Sequence, residues 1–495
     1  MGRAINKTSF SQRDFNAFGH KLHRCLSALE LLLERPGFGC GETSIGAELE
    51  LYLLDSQGRP LPENVAIQKQ FDDPQLTLEL NRYNLEYNLS PVSATGKPFS
   101  NLEQQMLDAL RRLQILTEKE GGSVLPIGIL PTLRRDDFGE SAMTDEPRYH
   151  ALANVLHQMR DQSCGINIDG EDAIHLVQSD VTMEGACTSF QLHYRVEPSR
   201  FTSLWNCIQL VTPLVLGLAA NSPLLLGHRL WHETRVPLFK QSIDGRGTVG
   251  YEWQDPARVS FGHGWLNDDP MALFREMVQL YRPMIPLRTD EDPVKVVEQG
   301  GIPRLEELCL HDGTIWSWNR PIYDPEGDAH LRIEMRALPA GPTPIDMAAN
   351  SALLIGLAEG LVDQVAPLLS ALPFPYAEYN FYRASQFGIE AKILWPDLTQ
   401  NGLQERPLVE IVRQLLPVAA QGLEKIGVDY LESQRLLTVI DDRLSNGRTG
   451  AIWQMTQYSK LLSGSLSRME ACRQLVAAYG ERSISNTPVS EWSDI

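Results

Sequence analysis

Residues 45–55 read IGAELELYLLD, and this alternation limits what the chain can fold into. Successive side chains of a strand point to opposite faces, so Glu48 and Glu50 share one face while Leu49, Leu51 and Leu53 share the other. The pattern recurs. CTSFQLHYRV (187–196) sets Gln191, His193 and Arg195 on one face, and HLRIEMRAL (330–338) sets Arg332, Glu334 and Arg336 against Leu331, Ile333 and Met335. LELNRYNLEYNLSP adds Glu79 and Glu86. An odd spacing cannot keep those two on one face of a regular strand, so a bulge or turn is expected at Asn81–Asn84.

A solvated sheet face explains any one such strand. Four in one chain, each with an apolar face suited to packing under helices, point further. If the polar faces converge, mutual repulsion raises the carboxylate pKa values unless cations are present. Hard oxygen donors with few sulfurs select Mg²⁺ or Mn²⁺, and Mg²⁺ usually comes with a nucleotide phosphate. Arginines on the same strand as a carboxylate suit that phosphate. The residues alone therefore read as a multi-metal nucleotide site on a concave sheet.

Composition narrows the partners. With 44 basic and 63 acidic residues in 495, the formal charge is −19, which argues against nucleic acid or an anionic membrane surface. Seven cysteines without a C-x-x-C fit neither a disulfide framework nor a zinc knuckle, so a reducing cytoplasm is expected. The polar first twenty residues, with Lys7, Arg13 and Asp14, do not read as a signal peptide. Phe201–Gly227 carries no Asp, Glu, Lys or Arg and is long enough to span a bilayer, but Asn206, Gln209, Pro213, Asn221 and Pro223 punctuate it. It reads as a buried helix and a turn rather than a membrane span.

Spacing predicts helices over 13–35, 147–159, 344–372 and 406–479, and Ser100–Glu103 reads as a capping box opening another. VLPIGILP (124–131) and residues 173–181 read as further strands. The expected fold is α+β, a sheet core with helices packed on it, ending in a helical region. The expected division is a catalytic part, 1–375, and a helical part, 376–495.

GAELEL, NLEYNLSP, PRYHAL, TSFQLH, ANSPLLLG and HDGTIWSWNR…HLRIEMR, in this order over about 46–340, resemble the glutamate–cysteine ligase family, type 2 branch. The resemblance implies a glutamine-synthetase-like fold, a curved and largely antiparallel sheet forming a funnel with helices outside. It implies ATP-dependent phosphorylation of the γ-carboxylate of glutamate, followed by displacement of phosphate by a small amine, cysteine being favoured. By the same resemblance Glu48, Glu50, Glu86 and Glu334 fall on metal-binding positions, Glu79 matches an acidic position there, and Gln191 falls where some members have a metal-binding His and others Gln. Arg336 and Arg320 fall on phosphate-contacting or catalytic positions. Arg235, His193, Arg148 and Tyr149 fall beside the substrates, Arg235 as the holder of a carboxylate. The sequence departs from the family where WSWNR replaces an FPEVR-like segment, putting Trp318 at an acidic position, and where DPEGDA is inserted. Both departures bear on the acceptor amine.

Overall fold

The computed structural model describes residues 10–159, 164–178, 180–246, 255–267, 269–397 and 402–495. Lys7 and residue 179 of the expected 173–181 strand lie outside them. Its centre is a seven-stranded sheet: β1 (Ser44–Asp55), β2 (Leu76–Leu78), β3 (Asn84–Ser93), β4 (Gly122–Leu125), β5 (Phe190–Val196), β6 (Asn319–Asp324) and β7 (His330–Met335). The order is β6-β7-β5-β1-β3-β2, β4 joins the far end of β1, and every pairing is antiparallel. The sheet curls into a half-barrel with helices outside it, the expected α+β arrangement of a curved, antiparallel sheet. The turn expected between Glu79 and Glu86 is present, since β2 and β3 form a hairpin pairing Leu78 with Leu85.

Alternation sorts the two faces as the sequence requires. Leu49, Leu51, Leu53, Leu331 and Ile333 are completely buried under helices. On that side Tyr194 donates its hydroxyl to Glu359 at 2.7 Å. Glu359 lies on a helix at Pro344–Leu361, and Arg200 pairs with the same carboxylate. The apolar run forms the helix Pro198–Ala219, buried along nearly all its length, as the core reading expected. A second helical stretch, Pro344–Ala371, is also long and apolar enough to cross a membrane and is two-thirds buried.

Three local expectations are corrected. Ser100 caps nothing: its helix begins at Pro98, which needs no N–H partner at the first helical position. Ser100 and Glu103 instead reach the C-terminal helices, where Glu103 accepts from Arg435 at 2.7 Å. Of the 124–131 region only Val124 and Leu125 are strand, at the end of β4, and the buried remainder is irregular. The strand expected over 173–181 is present as Ala173–Gln178, paired with Cys164–Asp169 in a hairpin separate from the main sheet. The C-terminal region is not helical throughout, because Lys392–Asp397 and Gly402–Pro407 form another hairpin between the helix Phe374–Phe387 and the helices that follow from Leu408.

Candidate active site

Register builds the concave face in layers two residues apart, roughly 6–7 Å along the strands. One layer runs Arg320, Glu334, His193, Gly46 across β6, β7, β5 and β1. The next runs Gln191, Glu48, Asn88, and the one beyond pairs Glu50 with Glu86 and Glu86 with Thr77. On the other side of the first layer, Arg332 stands opposite Arg195. The expected strand residues therefore do converge on one surface.

The charges are not evenly spread. Glu334 is gripped by Arg320, with Nε 2.5 Å from Oε2 and Nη2 3.1 Å from Oε1, and by Arg336 Nη1 at 3.0 Å. Burial works against its ionisation, but Arg320, Arg336 and His193 outweigh burial and hold it well below the carboxylate range. Glu48 is lowered in the same way, mainly by His193, whose Nε2 is 3.0 Å away. Arg336 also reaches Gln191, whose amide donates to Glu50 Oε1 at 2.7 Å, and the Ser189 N–H donates to Glu50 Oε2 at 2.6 Å.

The far end has the opposite problem. Burial, then Glu48, Glu79 and Glu50, push Glu86 well above its ordinary value. Burial and Glu50 push Glu79 to about 7 despite Arg148. Burial raises Glu50 too, with Arg336 opposing. These carboxylates crowd one another with too little positive charge nearby.

His193 requires a distinction. Its Nδ1 accepts from Arg332 Nε at 3.1 Å, which leaves the ring proton on Nε2. Nε2 faces Glu48 but is poorly aligned with it and has no hydrogen-bond partner among the described residues. Glu48, His193 and Glu334 each bring one ligand atom within 4.8 Å of the others. Ligation through Nε2 requires the other tautomer, which forfeits the bond from Arg332. The glutamate oxygens are thus the better donors. Buried hard oxygens that repel one another, beside an orphaned imidazole nitrogen, fit a divalent cation such as Mg²⁺ or Mn²⁺.

The remaining expected residues fall around this face. Arg148 and Tyr149, on the helix Pro147–Met159, both donate to the Leu78 carbonyl, at 2.7 and 2.8 Å, and Arg148 acts electrostatically on Glu79. Arg235 is buried, its Nε on Glu233 at 2.9 Å and Nη2 on the Ala337 carbonyl at 2.5 Å. Two groups escaped the sequence reading. Glu184, on the single turn Glu184–Ala186, is pushed to about 8 by burial, then Glu79 and Glu50. Asp312, ending the short helix Glu306–Asp312, is pushed to about 7 by burial against the pull of Arg320. Neither lies on a periodic strand. The nearest signal for Asp312 was its place in HDGTIW.

The sequence matches glutamate–cysteine ligase family 2 (GCS2) over residues 44–474. No curated protein matches it. Among solved structures it is similar to glutamate–cysteine ligase from Francisella tularensis in complex with AMP, at 9% identity and TM-score 0.49, covering 90% of this chain and 89% of that one. It is also similar to a bifunctional glutathione synthetase from Pasteurella multocida, at 13% identity and TM-score 0.48, covering 94% of this chain and 55% of that one. A third likeness is to the ligase PafA in complex with Pup, at 9% identity and TM-score 0.39, covering 88% and 72%.

Proposed function

We propose, for a chain that belongs to glutamate–cysteine ligase family 2 and so to the carboxylate–amine ligases, that it joins the γ-carboxylate of glutamate to a small amine through an acyl phosphate, with ATP as co-substrate and cysteine the favoured acceptor. The observation that carries this reading is the segregation of charge on the funnel face: arginines around Glu334, and the unneutralised carboxylates Glu50, Glu79 and Glu86 at the far end.

The chemistry is group transfer by positioning. The donor carboxylate attacks the terminal phosphorus of ATP, ADP leaves, and the amine then displaces phosphate from the acyl carbon, losing a proton. Arg336 and Arg320 face the transferred phosphoryl and stabilise the charge spread over its oxygens. Glu48, Glu50, Glu86 and Glu334, with Glu79 and Gln191 beside them, would hold Mg²⁺ or Mn²⁺, which when bound neutralises phosphate charge. Arg148 and Tyr149 fix the end of β2, so that Glu79 is presented to the same space.

In this reading the C-terminal region, residues 376–495, buttresses a catalytic part formed by residues 1–375. Arg443 grips Asp346 at 2.8 Å and Asn350 at 2.7 Å, fixing the helix that lies under the sheet. A cytoplasmic location belongs to the same proposal, supported by the free thiols of Cys25, Cys40, Cys187, Cys207, Cys309 and Cys472.

One observation favours a different acceptor within the same chemistry. Trp318, at the family's acidic position, is buried against Phe239 and Phe381, with ring centroids 5.9 and 5.5 Å away, and presents no charge to a substrate. ADP release with glutamate and a panel of amines, each with and without Mg²⁺, tests the reading. Release that requires glutamate and an amine is expected, and the best amine names the acceptor. No release with any amine would overturn it.

A further inference from the structure

Arg195 on β5 and Arg332 on β7 are register partners on the funnel face, in the layer beyond Glu334 and on the side away from Arg336. Like charges directly opposite destabilise a strand pair unless something neutralises them. Arg332 is answered within the protein: Nη1 pairs with Asp324, and Nε donates to His193. Asp324 belongs to the inserted DPEGDA segment, which forms the turn between β6 and β7. Arg195 is not answered in the same way. Its Nε is buried and has no partner among the described residues.

Nor is Arg195 a loose surface side chain. Its guanidinium lies directly over Gly41, where an added Cβ would stand 2.0 Å from Nη2. The neighbouring His330 contributes no charge near neutrality, because burial, with Arg195 and Arg332 adding, pushes it down to about 4. Two guanidinium groups thus meet one carboxylate, and the surplus is pinned in place. Arg235, by contrast, has Nε and Nη2 engaged by Glu233 and Ala337.

On the ligase reading, we infer that Arg195, with Arg332, forms the binding site for the α-carboxylate of an amino-acid substrate. The planar fork of Arg suits a carboxylate. The position, about one strand repeat from Glu334 and opposite to Arg336, separates it from the phosphate-facing arginine by the layer in which the reaction takes place. The arginine pair would make this a specificity site, selecting amino acids over simple amines or simple acids.

Binding without turnover tests this apart from the ligase reading. Affinities of the full chain are measured with Mg²⁺ and a non-hydrolysable ATP analogue, for L-glutamate against its α-amide and for L-cysteine against cysteamine. The wild type is expected to prefer the α-carboxylate form of at least one pair by tenfold or more. Arg195→Gln is expected to lose that preference, with affinity for the nucleotide analogue within twofold and an unchanged melting temperature. Gly41→Ala, which displaces the guanidinium without removing it, is expected to act in the same direction. The pair affected tells whether donor or acceptor sits there. A wild type indifferent to the α-carboxylate in both pairs, a preference kept in both variants, or a loss confined to the nucleotide would overturn the inference. Failure of ADP release with intact carboxylate discrimination would count against the ligase reading alone.

Discussion

Arg320 and Glu334 face each other across β6 and β7 and are joined by two hydrogen bonds, so that the most deeply placed carboxylate of the funnel is fixed by a bidentate guanidinium. Arg336 donates to Oε1 of the same carboxylate from the next layer. Removing Glu334 therefore strands two buried cations. Glu334→Ala should lose turnover and also about 3–5 kcal/mol of stability, the usual cost of breaking a buried pair. Glu334→Gln should lose turnover with a smaller loss. Urea denaturation beside ADP release checks both, and wild-type stability in the alanine variant would contradict the pairing.

Arg336 bridges Gln191 and Glu334 through one nitrogen. A lysine can replace the charge but not the fork. Arg336→Lys should lower turnover on the order of 10²-fold at saturating ATP and glutamate, with little change in melting temperature. Near-normal turnover would reduce Arg336 to a structural partner of Glu334.

The crowded carboxylates set a pH dependence whose sign is fixed. Glu79 and Asp312 at about 7, and Glu184 at about 8, lie above their unfolded values. The stability they contribute is complete below the unfolded values and is lost as pH rises through 7–8, because the folded state holds the extra protons. The buried His232 and His311, pushed down to about 4 mainly by desolvation, act in a lower window and lose their contribution as pH falls below about 6.5. Between about pH 6.5 and 8.5, the chelator-treated protein should therefore melt lower as pH rises. Mg²⁺ should raise the melting temperature more at the upper end, by mass action on the native state. A metal-free melting temperature that climbs over this window would contradict the crowding.

Cys187 precedes β5 and is the thiol nearest the site by sequence. Burial pushes its pKa far up, and Sγ faces the Arg235 carbonyl at 3.8 Å, so it is protonated and a poor nucleophile. Cys187→Ser should keep its ADP release. A folded but inactive serine variant would require a thiol step that the acyl-phosphate route lacks.

The strands carrying the site could be read because alternation survives in sequence: Glu48, Gln191, His193 and Glu334 each sit between apolar neighbours that must be buried. Register could not be read, and register decides that Glu334 meets His193 while Glu48 meets Gln191. It also decides that Arg195 meets Arg332, although both faces were visible separately. Glu184 and Asp312 escaped because short turns have no period, and tertiary packing alone aims them inward. The Lys392–Pro407 hairpin was hidden because Pro396 and Pro407 argue against a strand, yet a two-stranded ribbon has free edges that tolerate them. Ser100 misled because local capping chemistry was overridden by long-range partners on the C-terminal helices.

The central claim, transfer of phosphate to a carboxylate before the amide forms, is tested most directly with glutamate labelled with ¹⁸O in its γ-carboxylate. The label is followed while ATP is consumed in the presence of Mg²⁺ and the best acceptor amine. The carboxylate oxygen that attacks phosphorus leaves with phosphate when the amine attacks the acyl carbon. One labelled oxygen is therefore expected in inorganic phosphate for each ADP formed. Amide formation with unlabelled phosphate, or ADP formed with all the label kept in glutamate, would contradict the account.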